Sequence, residues 1–227
     1  MENRVLLITG ASSGIGEATA RAAVAAGWSV VVSARSEDKL ERLAAELGDR
    51  ALAVRCDVTE WDEQVALVDR AVAHFGRIDA AWANAGFGGE RSFFGDSPER
   101  WKSMVLTNVY GAALTFRATI PALKASHGHL LITGSIAGRR AIAGSLYSAT
   151  KHAAHAMAES ARQELNGTGV RVTVIAPGVV DTPFFANVPI AEPLHADDIA
   201  RGVMFALSQP PHVDVNEVVI RPVAQEL

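Results

Sequence analysis

The sequence has little cysteine, no excess of basic charge and no long apolar segment. Its 227 residues contain one cysteine, Cys56, which excludes an intrachain disulfide and a metal site built from several cysteines. Lysine and arginine number 21 against 25 aspartates and glutamates, so the net charge is −4. A mildly acidic chain lacks the positive field that non-specific nucleic-acid binding needs. No apolar run approaches the ~20 residues of a membrane-spanning helix, so no membrane partner is expected.

Composition and the first residues predict a soluble cytoplasmic protein. Met1-Glu2-Asn3-Arg4 leads directly into a short apolar run, and we therefore expect no signal peptide. Hydrophobic residues make up 49% of the chain and charged residues 20%, which is enough apolar surface for a sizeable core. A chain of this length fits one large α/β domain better than two small ones.

Strand-length apolar runs alternate with helical segments along almost the whole chain. The predicted strands cover residues 5–8, 29–34, 51–54, 78–83, 130–133, 170–176 and 217–220. The predicted helices cover about 15–26, 36–48, 59–76, 97–125, 145–165 and 196–207. Such alternation implies parallel strands joined by right-handed crossovers, with helices on both faces. We predict one doubly wound, Rossmann-type α/β domain of about seven parallel strands over residues 1–227.

Local signals predict several helix ends. Gly27 is expected to end the first helix in the left-handed conformation. Thr59 and Asp62 resemble a capping box that opens the third helix. Ser97 is an N-cap followed by Pro98 at the first helical position.

A glycine-rich turn, TGASSGIG, joins the first strand to the first helix. A phosphate that approaches a helix N-terminus needs free backbone N–H groups, the positive end of the helix dipole and no Cβ in the way. Gly10 permits the tight turn, Gly14 the approach of a ligand, and Gly16 close packing of the helix on the sheet. The hydroxyls of Ser12 and Ser13 can add donors. The turn predicts a dinucleotide phosphate site, and an ordinary glycine-rich turn is the alternative.

Further motifs, in their order, resemble those of the short-chain dehydrogenase/reductase family in its single-domain form. The matching residues are Thr9-Gly10 with Gly14-Ile15-Gly16, Asp57, Asn84-Ala85-Gly86, Asn108, Ser135, Tyr147 with Lys151, and Pro177-Gly178 with Thr182. They cover residues 9–182, and the strand and helix order agrees on either side. The resemblance implies an oxidoreductase whose one domain both binds a nicotinamide dinucleotide and carries the catalytic residues.

The residues after the second strand bear on the choice of cofactor. In dinucleotide-binding folds an acidic residue there binds the 2′-hydroxyl of NAD. This chain has Arg35 instead, with no acid before Glu37. A planar, permanently charged guanidinium suits a 2′-phosphate, and Ser33 or Ser36 can donate beside it. We predict NADP(H); a solvated arginine at the start of a helix is the alternative.

The resemblance implies cofactor contacts at further places. Asp57 is similar to the family's contact to the adenine amino group, although an aspartate that only shapes the turn is the alternative. Asn84 is expected to fix the turn by bonding backbone groups, and Thr182 to reach the carboxamide or a phosphate. The full predicted cofactor set is Gly10, Ser12, Ser13, Gly14, Ile15, Gly16, Arg35, Asp57, Val58, Asn84, Ala85, Gly86, Tyr147, Lys151, Pro177, Gly178, Val180 and Thr182.

Tyr147 and Lys151 lie four residues apart on a predicted helix and therefore share a face. A tyrosine with its ordinary pKa of ~10 is a poor base at neutral pH, but a lysine ammonium and an oxidised nicotinamide both favour the phenolate. The resemblance implies that Tyr147 exchanges a proton with the substrate oxygen, that Lys151 holds the ribose hydroxyls and that Ser135 hydrogen-bonds the substrate. It also implies that Asn108 kinks its helix and holds a water of a proton relay; a polar residue that satisfies the helix backbone is the alternative.

These residues predict an NADP(H)-dependent oxidoreductase that interconverts a secondary alcohol and a carbonyl compound, with Tyr147 as acid and base. A dinucleotide-binding sensor without turnover is the competing hypothesis, against which the intact Ser135, Tyr147 and Lys151 speak. The substrate is a small molecule, with a 3-hydroxy acid or an apolar ketone as candidates. Residues 216–222 resemble a branch that includes bacterial 3-hydroxy-acid and serine dehydrogenases, and residues 183–190 predict a short covering loop. Candidates to line an apolar pocket are Phe87, Phe93, Phe94, Ile142, Val180, Phe184 and Phe185.

Other polar residues have simpler interpretations. The seven histidines are not accompanied by a cluster of carboxylates or cysteines, so no metal site is expected. Cys56 fits a small buried residue better than a nucleophile. Arg139 and Arg140 either attract an anionic substrate or form a solvated pair.

Two predicted helices carry many small residues, which let another helix approach closely. These residues are Gly111, Ala112, Ala113, Ala118, Ala153, Ala154, Ala156, Ala158 and Ala161. Well-buried helices rich in the best helix former are one explanation. Because family members pair these two helices across a two-fold axis, we predict a homo-oligomer, a tetramer or a dimer.

Overall fold

A parallel seven-stranded sheet forms the centre of the computed structural model, which describes residues 4–185 and 187–225. The strands are β1 (Val5–Thr9), β2 (Ser29–Ala34), β3 (Ala51–Arg55), β4 (Ala80–Ala83), β5 (His129–Thr133), β6 (Arg171–Pro177), β7 (Val180–Asp181), β8 (Leu194–His195) and β9 (Glu217–Ile220). The main sheet has the order β3-β2-β1-β4-β5-β6-β9, and each neighbouring pair is parallel. The predictions for residues 1–3 and for Ala186 of the covering loop lie outside the described residues.

In the residues that the structure describes, seven α-helices connect the strands. They are α1 (Gly14–Ala25), α2 (Glu37–Leu47), α3 (Trp61–Phe75), α4 (Pro98–Val105), α5 (Ala112–Ser126), α6 (Leu146–Glu164) and α7 (Ala196–Ser208). A π-helical turn (Leu106–Gly111) joins α4 to α5, and 3-10 turns follow α2 (Gly48–Arg50) and β5 (Ile136–Gly138). Within the described part of the chain, no helix has the length and apolarity needed to cross a membrane.

The sheet is covered on both faces because side chains alternate along each strand. On β1, Leu7 packs with Leu67 and Phe116 in the layer made with α3, α5 and α6. Its neighbour Ile8 packs with Leu40 in the opposite layer, made with α1, α2 and α7. Burial of each such side chain contributes about 1.5–3 kcal/mol. The predicted doubly wound α/β fold is confirmed.

The direction of winding reverses beside β1. From β1 the chain places β2 and β3 on one side, and it then places β4, β5, β6 and β9 on the other. The crossovers leave a crevice where the direction changes, at the carboxyl ends of β1 and β4. That crevice holds the candidate site.

The predicted capping box at the start of α3 is wrong. The helix begins at Trp61 with Glu60 as its N-cap. Asp57 Oδ1 instead accepts hydrogen bonds from the backbone N (3.0 Å) and the hydroxyl (2.8 Å) of Thr59. The Thr59 hydroxyl therefore donates to Asp57 and does not cap α3. The two residues form a local turn.

Other helix ends match their signals. Gly27 follows α1 with φ +85°, and Ser97 Oγ accepts a hydrogen bond of 3.2 Å from Arg100 N at the start of α4. The single helical region predicted over 97–125 is divided by the π-helical turn. The parallel pair β7–β8, joined at Val180 and Leu194, has no counterpart in the predicted elements.

Candidate active site

The ends of β1 and β4 are tied together by the side chains of Thr9 and Asn84. Thr9 Oγ1 accepts a hydrogen bond from Asn84 N at 3.0 Å and donates to the carbonyl oxygen of Trp82 at 3.3 Å. Asn84 Nδ2 donates to the carbonyl oxygens of Thr9 (2.9 Å) and Gly10 (3.2 Å). Asn84 thus bonds backbone groups at the point where the strand order reverses.

The glycine-rich turn is packed closely against this junction. Gly10 has φ +68°, and a Cβ atom on it would lie 2.8 Å from Ala85 Cα. A Cβ atom on Gly16 would lie 2.6 Å from the carbonyl oxygen of Gly10. Ser13 precedes α1 with extended backbone, and no side-chain capping bond from it is seen among the described residues. The positive end of α1 therefore opens on the crevice, where it suits an anion.

A cleft of about 720 Å³ runs from the glycine-rich turn across the ends of β4, β5 and β6. Of the predicted site residues, Gly16 and Asn108 are absent from its lining. The lining includes Gly10, Ser12, Ser13, Gly14, Ile15, Arg35, Asp57, Val58, Asn84, Ala85, Gly86, Ser135, Tyr147, Lys151, Pro177, Gly178, Val180 and Thr182. The fold thus brings together residues that are far apart in sequence.

Arg35 lies at the mouth of one end of the cleft. Its side chain is 67% exposed, and its guanidinium is 4.0 Å from Asp57 Oδ2. Asp57 Oδ1 makes the turn with Thr59, so the two oxygens of the carboxylate have different partners. Asp57 shapes the turn and also lies beside the Arg35 guanidinium at the cleft mouth.

Ser135, Tyr147 and Lys151 meet at the other end. Lys151 is buried, and its Nζ donates to the carbonyl oxygen of Thr133 at 2.7 Å and lies 5.6 Å from the centre of the Tyr147 ring. Ser135 Oγ accepts a hydrogen bond from Ala137 N at 3.1 Å. Burial lowers the pKa of Lys151 to about 8. A lysine with such a pKa is able to gain or lose its charge near neutral pH.

Burial is the main influence on the pKa of Tyr147. Burial raises the pKa of the Tyr147 phenol to about 12, and a side-chain hydrogen bond with Ser135 lowers it only in part. Lys151 directs its ammonium to the carbonyl oxygen of Thr133 instead. The free protein therefore keeps Tyr147 as a protonated hydroxyl group.

Asn108 lies inside the π-helical turn and is buried. Its Oδ1 accepts a hydrogen bond from Phe87 N at 3.0 Å, while Nδ2 donates to Phe87 O (2.9 Å) and to Thr150 Oγ1 (3.1 Å). The Asn108 side chain thus joins the segment after β4 to α6. Its oxygen is occupied by the backbone N–H of Phe87, which belongs to the segment after β4 and not to the helix backbone that the alternative named.

An aromatic side chain closes part of the cleft near Tyr147. The Phe184 ring centre is 5.5 Å from that of Tyr147 and 5.0 Å from that of Phe185. The prediction that Phe93 and Phe94 line the pocket is wrong, because they are 59% and 100% exposed and lie outside the lining. The other five apolar candidates line the cleft, namely Phe87, Ile142, Val180, Phe184 and Phe185.

Two residues that the sequence did not single out contribute to the site. The Thr133 hydroxyl donates to Asn84 Oδ1 at 2.9 Å, and Gln225 Oε1 accepts from Val179 N at 2.9 Å. Both line the cleft. A threonine at a strand end and a glutamine near the chain end carry no motif, so only the folded contacts reveal them.

Near the cleft, Arg139 is paired with an acidic side chain and Cys56 is not a reactive thiolate. Arg139 lies 3.4 Å from Glu217 Oε2 and outside the cleft lining. Burial raises the pKa of the Cys56 thiol to about 12, so it stays protonated at neutral pH. Among residues 4–185 and 187–225, no three histidine, cysteine or acidic side chains gather into a metal-binding group.

Comparison with known proteins shows the family. The family model described as short chain dehydrogenase matches residues 4–192, so the chain belongs to the short-chain dehydrogenase family. An uncharacterised oxidoreductase of Staphylococcus epidermidis is 39% identical over 227 residues, which cover 98% of this chain and 99% of the relative.

Solved structures of similar proteins have the same fold. An alcohol dehydrogenase from Thermococcus sibiricus, complexed with 5-hydroxy-NADP, is 34% identical with a TM-score of 0.91, covering 99% of this chain and 98% of that one. Serine dehydrogenase from Escherichia coli is 30% identical with a TM-score of 0.90, covering 98% and 100%. A 3-ketoacyl-(acyl-carrier-protein) reductase from Brucella melitensis, complexed with NADH, is 30% identical with a TM-score of 0.90, covering 96% and 97%. The chain is an oxidoreductase of a family that uses NAD(P)(H).

Proposed function

We propose that the chain is an NADP(H)-dependent oxidoreductase that interconverts a secondary alcohol and its ketone or aldehyde, working as one domain. The observation that carries the proposal is the meeting of Ser135, Tyr147 and the buried Lys151 at one end of the cleft. Burial of an ammonium group costs stability, and such costs are concentrated at functional sites. The buried Lys151 lies beside Tyr147, whose hydroxyl group is suited to proton transfer.

The cleft residues fit the phosphates of a dinucleotide. A Cβ atom on Gly14 would lie 3.3 Å from Thr182 Cβ, so the bare backbone leaves room between them. The Ser12 and Ser13 hydroxyls and the N-terminus of α1 line the same region. When bound, a reduced nicotinamide supplies the hydride for the carbonyl carbon, and the protein's own groups bind, orient and move the proton.

Arg35 supports NADP(H) as the cofactor. Its exposed guanidinium lies 4.0 Å from Asp57 at the cleft mouth, and residues 34–36 contain no acid. A charge-assisted contact to a 2′-phosphate contributes about 1.5–3 kcal/mol. Because similar proteins are complexed with either an NADP derivative or NADH, the preference of this chain depends on its own residues.

The proton moves between the substrate oxygen and Tyr147. In reduction the Tyr147 hydroxyl donates its proton to the developing alkoxide, and the high pKa of the free phenol keeps that proton available. Ser135 hydrogen-bonds the same substrate oxygen. The Lys151 ammonium stabilises the phenolate that remains and holds the ribose hydroxyls. Asn108 positions the backbone at Phe87 beside them. A water held at its helix turn would complete the proton relay to Lys151.

The substrate end of the cleft favours an apolar small molecule. Phe87, Ile142 and Phe184 line it close to Tyr147. Two structurally similar proteins, a serine dehydrogenase and an alcohol dehydrogenase, act by name on small molecules with a hydroxyl group. The candidates are an apolar ketone with its secondary alcohol and a 3-hydroxy acid.

We also propose a homo-oligomer, a tetramer or a dimer. Several apolar side chains on α3, at the end of α4 and on the π-helical turn are exposed, and an interface would cover them. These side chains are Trp61, Val65, Val72, Val105, Leu106 and Tyr110. On α6, Ala154, Ala158 and Ala161 pack in the core, whereas Ala156 is exposed and available to a partner helix.

The test is turnover of a panel of ketones, aldehydes, apolar alcohols and 3-hydroxy acids, including serine, with NADPH or NADP⁺. Reduction is followed at neutral pH and oxidation at alkaline pH, and binding of NADPH is measured in parallel. Turnover that disappears in Tyr147→Phe supports the proposal. Tight NADPH binding without turnover of any compound would overturn it in favour of a sensor.

A further inference from the structure

His155 lies on α6, one turn after Lys151, and its ring faces the backbone of Ser135. Its Nε2 is 3.4 Å from the backbone N of Ser135, and its Nδ1 is 3.4 Å from Glu217 Oε1 at the start of β9. The ring thus connects the edge strand of the sheet to the backbone of a residue in the candidate active site.

The ring also fills the space beside the two glycines that flank this segment. A Cβ atom on Gly134 would lie 2.5 Å from His155 Nε2, and one on Gly138 would lie 2.7 Å from His155 Cδ2. The segment from Gly134 to Gly138 is therefore in contact with the ring at both ends. A shift of the ring would move the backbone that carries Ser135.

The two ring nitrogens have different roles in this arrangement. Because Ser135 N is a donor, Nε2 has to be the unprotonated acceptor, and the ring proton resides on Nδ1 facing Glu217. Glu217 is fixed in turn by Arg139, whose guanidinium lies 3.4 Å from its other oxygen. Burial lowers the pKa of His155, and the charges of Arg139 and Lys151 lower it further, against the opposite effects of Glu217 and of the backbone hydrogen bond with Ser135. At neutral pH the ring remains neutral, as the contact with Ser135 requires.

We propose that His155, oriented by Glu217, is a positioning residue that holds the Ser135 backbone so that its hydroxyl faces Tyr147. The inference rests on the role proposed above for Ser135. Ser135 Oγ accepts a hydrogen bond from Ala137 N, lies 3.5 Å from Pro177 O and shares a hydrogen bond with the Tyr147 hydroxyl, so the position of the Ser135 backbone sets its reach to Tyr147. Protonation of Nε2 removes the acceptor and releases that backbone.

The test compares His155→Leu, which removes the acceptor, with His155→Gln, whose side-chain oxygen accepts in the place of Nε2. His152→Leu on the exposed side of α6 is the matched control. We expect His155→Leu to lower kcat for carbonyl reduction by about 10- to 100-fold, as small misplacements of reacting groups do. His155→Gln restores most of the rate. NADPH binding changes less than about twofold in all three variants, since their side chains lie outside the cleft lining.

The pH profile separates positioning from mere packing. In the wild type, kcat for reduction falls on the acid side as His155 gains a proton, at a pH below the ordinary ~6.5 of histidine. His155→Gln has no such group and loses this acid limb. Equal losses in the Leu and Gln variants, an acid limb that persists in the Gln variant, or an unchanged kcat in His155→Leu would each overturn the proposal.

Hydrogen exchange of the Ser135 amide tests the contact without turnover. We expect slow exchange in the wild type and in His155→Gln, and faster exchange in His155→Leu. Equal exchange rates of the Ser135 amide in the wild type and in both His155 variants would refute the contact between His155 and the Ser135 backbone. If the wild type turns over no compound, the proposed function fails, while the exchange experiment still decides whether His155 holds this backbone.

Discussion

Thr133 joins Lys151 to Asn84. Its carbonyl oxygen accepts a hydrogen bond of 2.7 Å from Lys151 Nζ, and its hydroxyl donates to Asn84 Oδ1 at 2.9 Å. Asn84 in turn donates to the carbonyl oxygens of Thr9 and Gly10. One residue thus links the lysine of the proposed active site to the glycine-rich turn.

Thr133→Val is expected to weaken cofactor binding while Lys151 keeps its backbone partner. Loss of the hydroxyl leaves Asn84 Oδ1 without this donor, which costs about 1 kcal/mol and corresponds to a several-fold rise in the Kd of NADPH. Titration of NADPH fluorescence measures the effect. Thr168→Val, far from the cleft lining, is the control, and an unchanged Kd in Thr133→Val would contradict the link.

Lys151→Met is expected to slow alcohol oxidation in a pH-dependent way. Below a pH of about 8 the wild-type lysine is charged and favours the Tyr147 phenolate, so its removal lowers the rate tenfold or more at saturating NADP⁺. Above about 8 the wild-type lysine loses its charge, and the rates of the two proteins approach each other. Rate profiles from pH 6 to 10 check this, with Lys124→Met on the exposed end of α5 as control. A ratio of rates that is constant with pH would rule out the charge as the cause.

Arg35→Asp is expected to reverse the cofactor preference. It removes a charge-assisted contact worth about 1.5–3 kcal/mol and adds repulsion with the 2′-phosphate, so NADPH binds at least tenfold more weakly and NADH is spared. Arg42→Asp, on α2 and outside the cleft lining, is the control for the change in net charge. Wild-type protein that binds NADH as tightly as NADPH would show that Arg35 does not select the cofactor.

Ala156→Arg is expected to dissociate the proposed oligomer. Its side chain points outward from α6, so a bulky charge there blocks a partner helix without entering the core. Ala154→Arg tests folding instead, because Ala154 is buried against the sheet. Light scattering at micromolar concentration measures the mass, and a wild-type mass near 24 kDa refutes the oligomer.

His129 is expected to make the fold sensitive to acid. Burial lowers its pKa to about 3, and its Nε2 is 2.7 Å from Thr173 Oγ1. Below the ordinary value of ~6.5 the unfolded chain binds a proton that the native state does not. The free energy of unfolding therefore falls by up to about 1.4 kcal/mol per pH unit as the pH decreases towards 3.

Urea unfolding between pH 7 and pH 4 measures this slope. His129→Gln should reduce it by up to one proton, whereas His74→Gln on the exposed surface of α3 should leave it unchanged. The same slope in wild type and His129→Gln would exclude His129 as the source.

Strand and helix periodicity is a local signal and is sufficient to predict the sheet, while the motifs predict a part of the cleft lining that excludes residues such as Arg91 and Arg100. The sequence is insufficient where a contact depends on the assembled chain. The capping box at Thr59 has the right spacing, but Asp57 competes for the same hydroxyl group. Thr133 and His155 act through partners that are 49 and 20 residues away in sequence. Phe93 and Phe94 are apolar, yet their loop directs them outward.

The short pair β7–β8 holds together the two ends of the segment that contains the covering loop. Val180 pairs with Leu194, and Leu194 N donates to Val179 O at 3.0 Å, so both ends of the segment are fastened to the same place. We expect a longer or shorter segment between Val180 and Leu194 to leave the strand ends that line the cleft and the start of α7 in place, since loop closure costs little free energy per added residue. We therefore expect insertion or deletion at this one place to alter the cleft lining around Phe184 and to leave Ser135, Tyr147 and Lys151 in position.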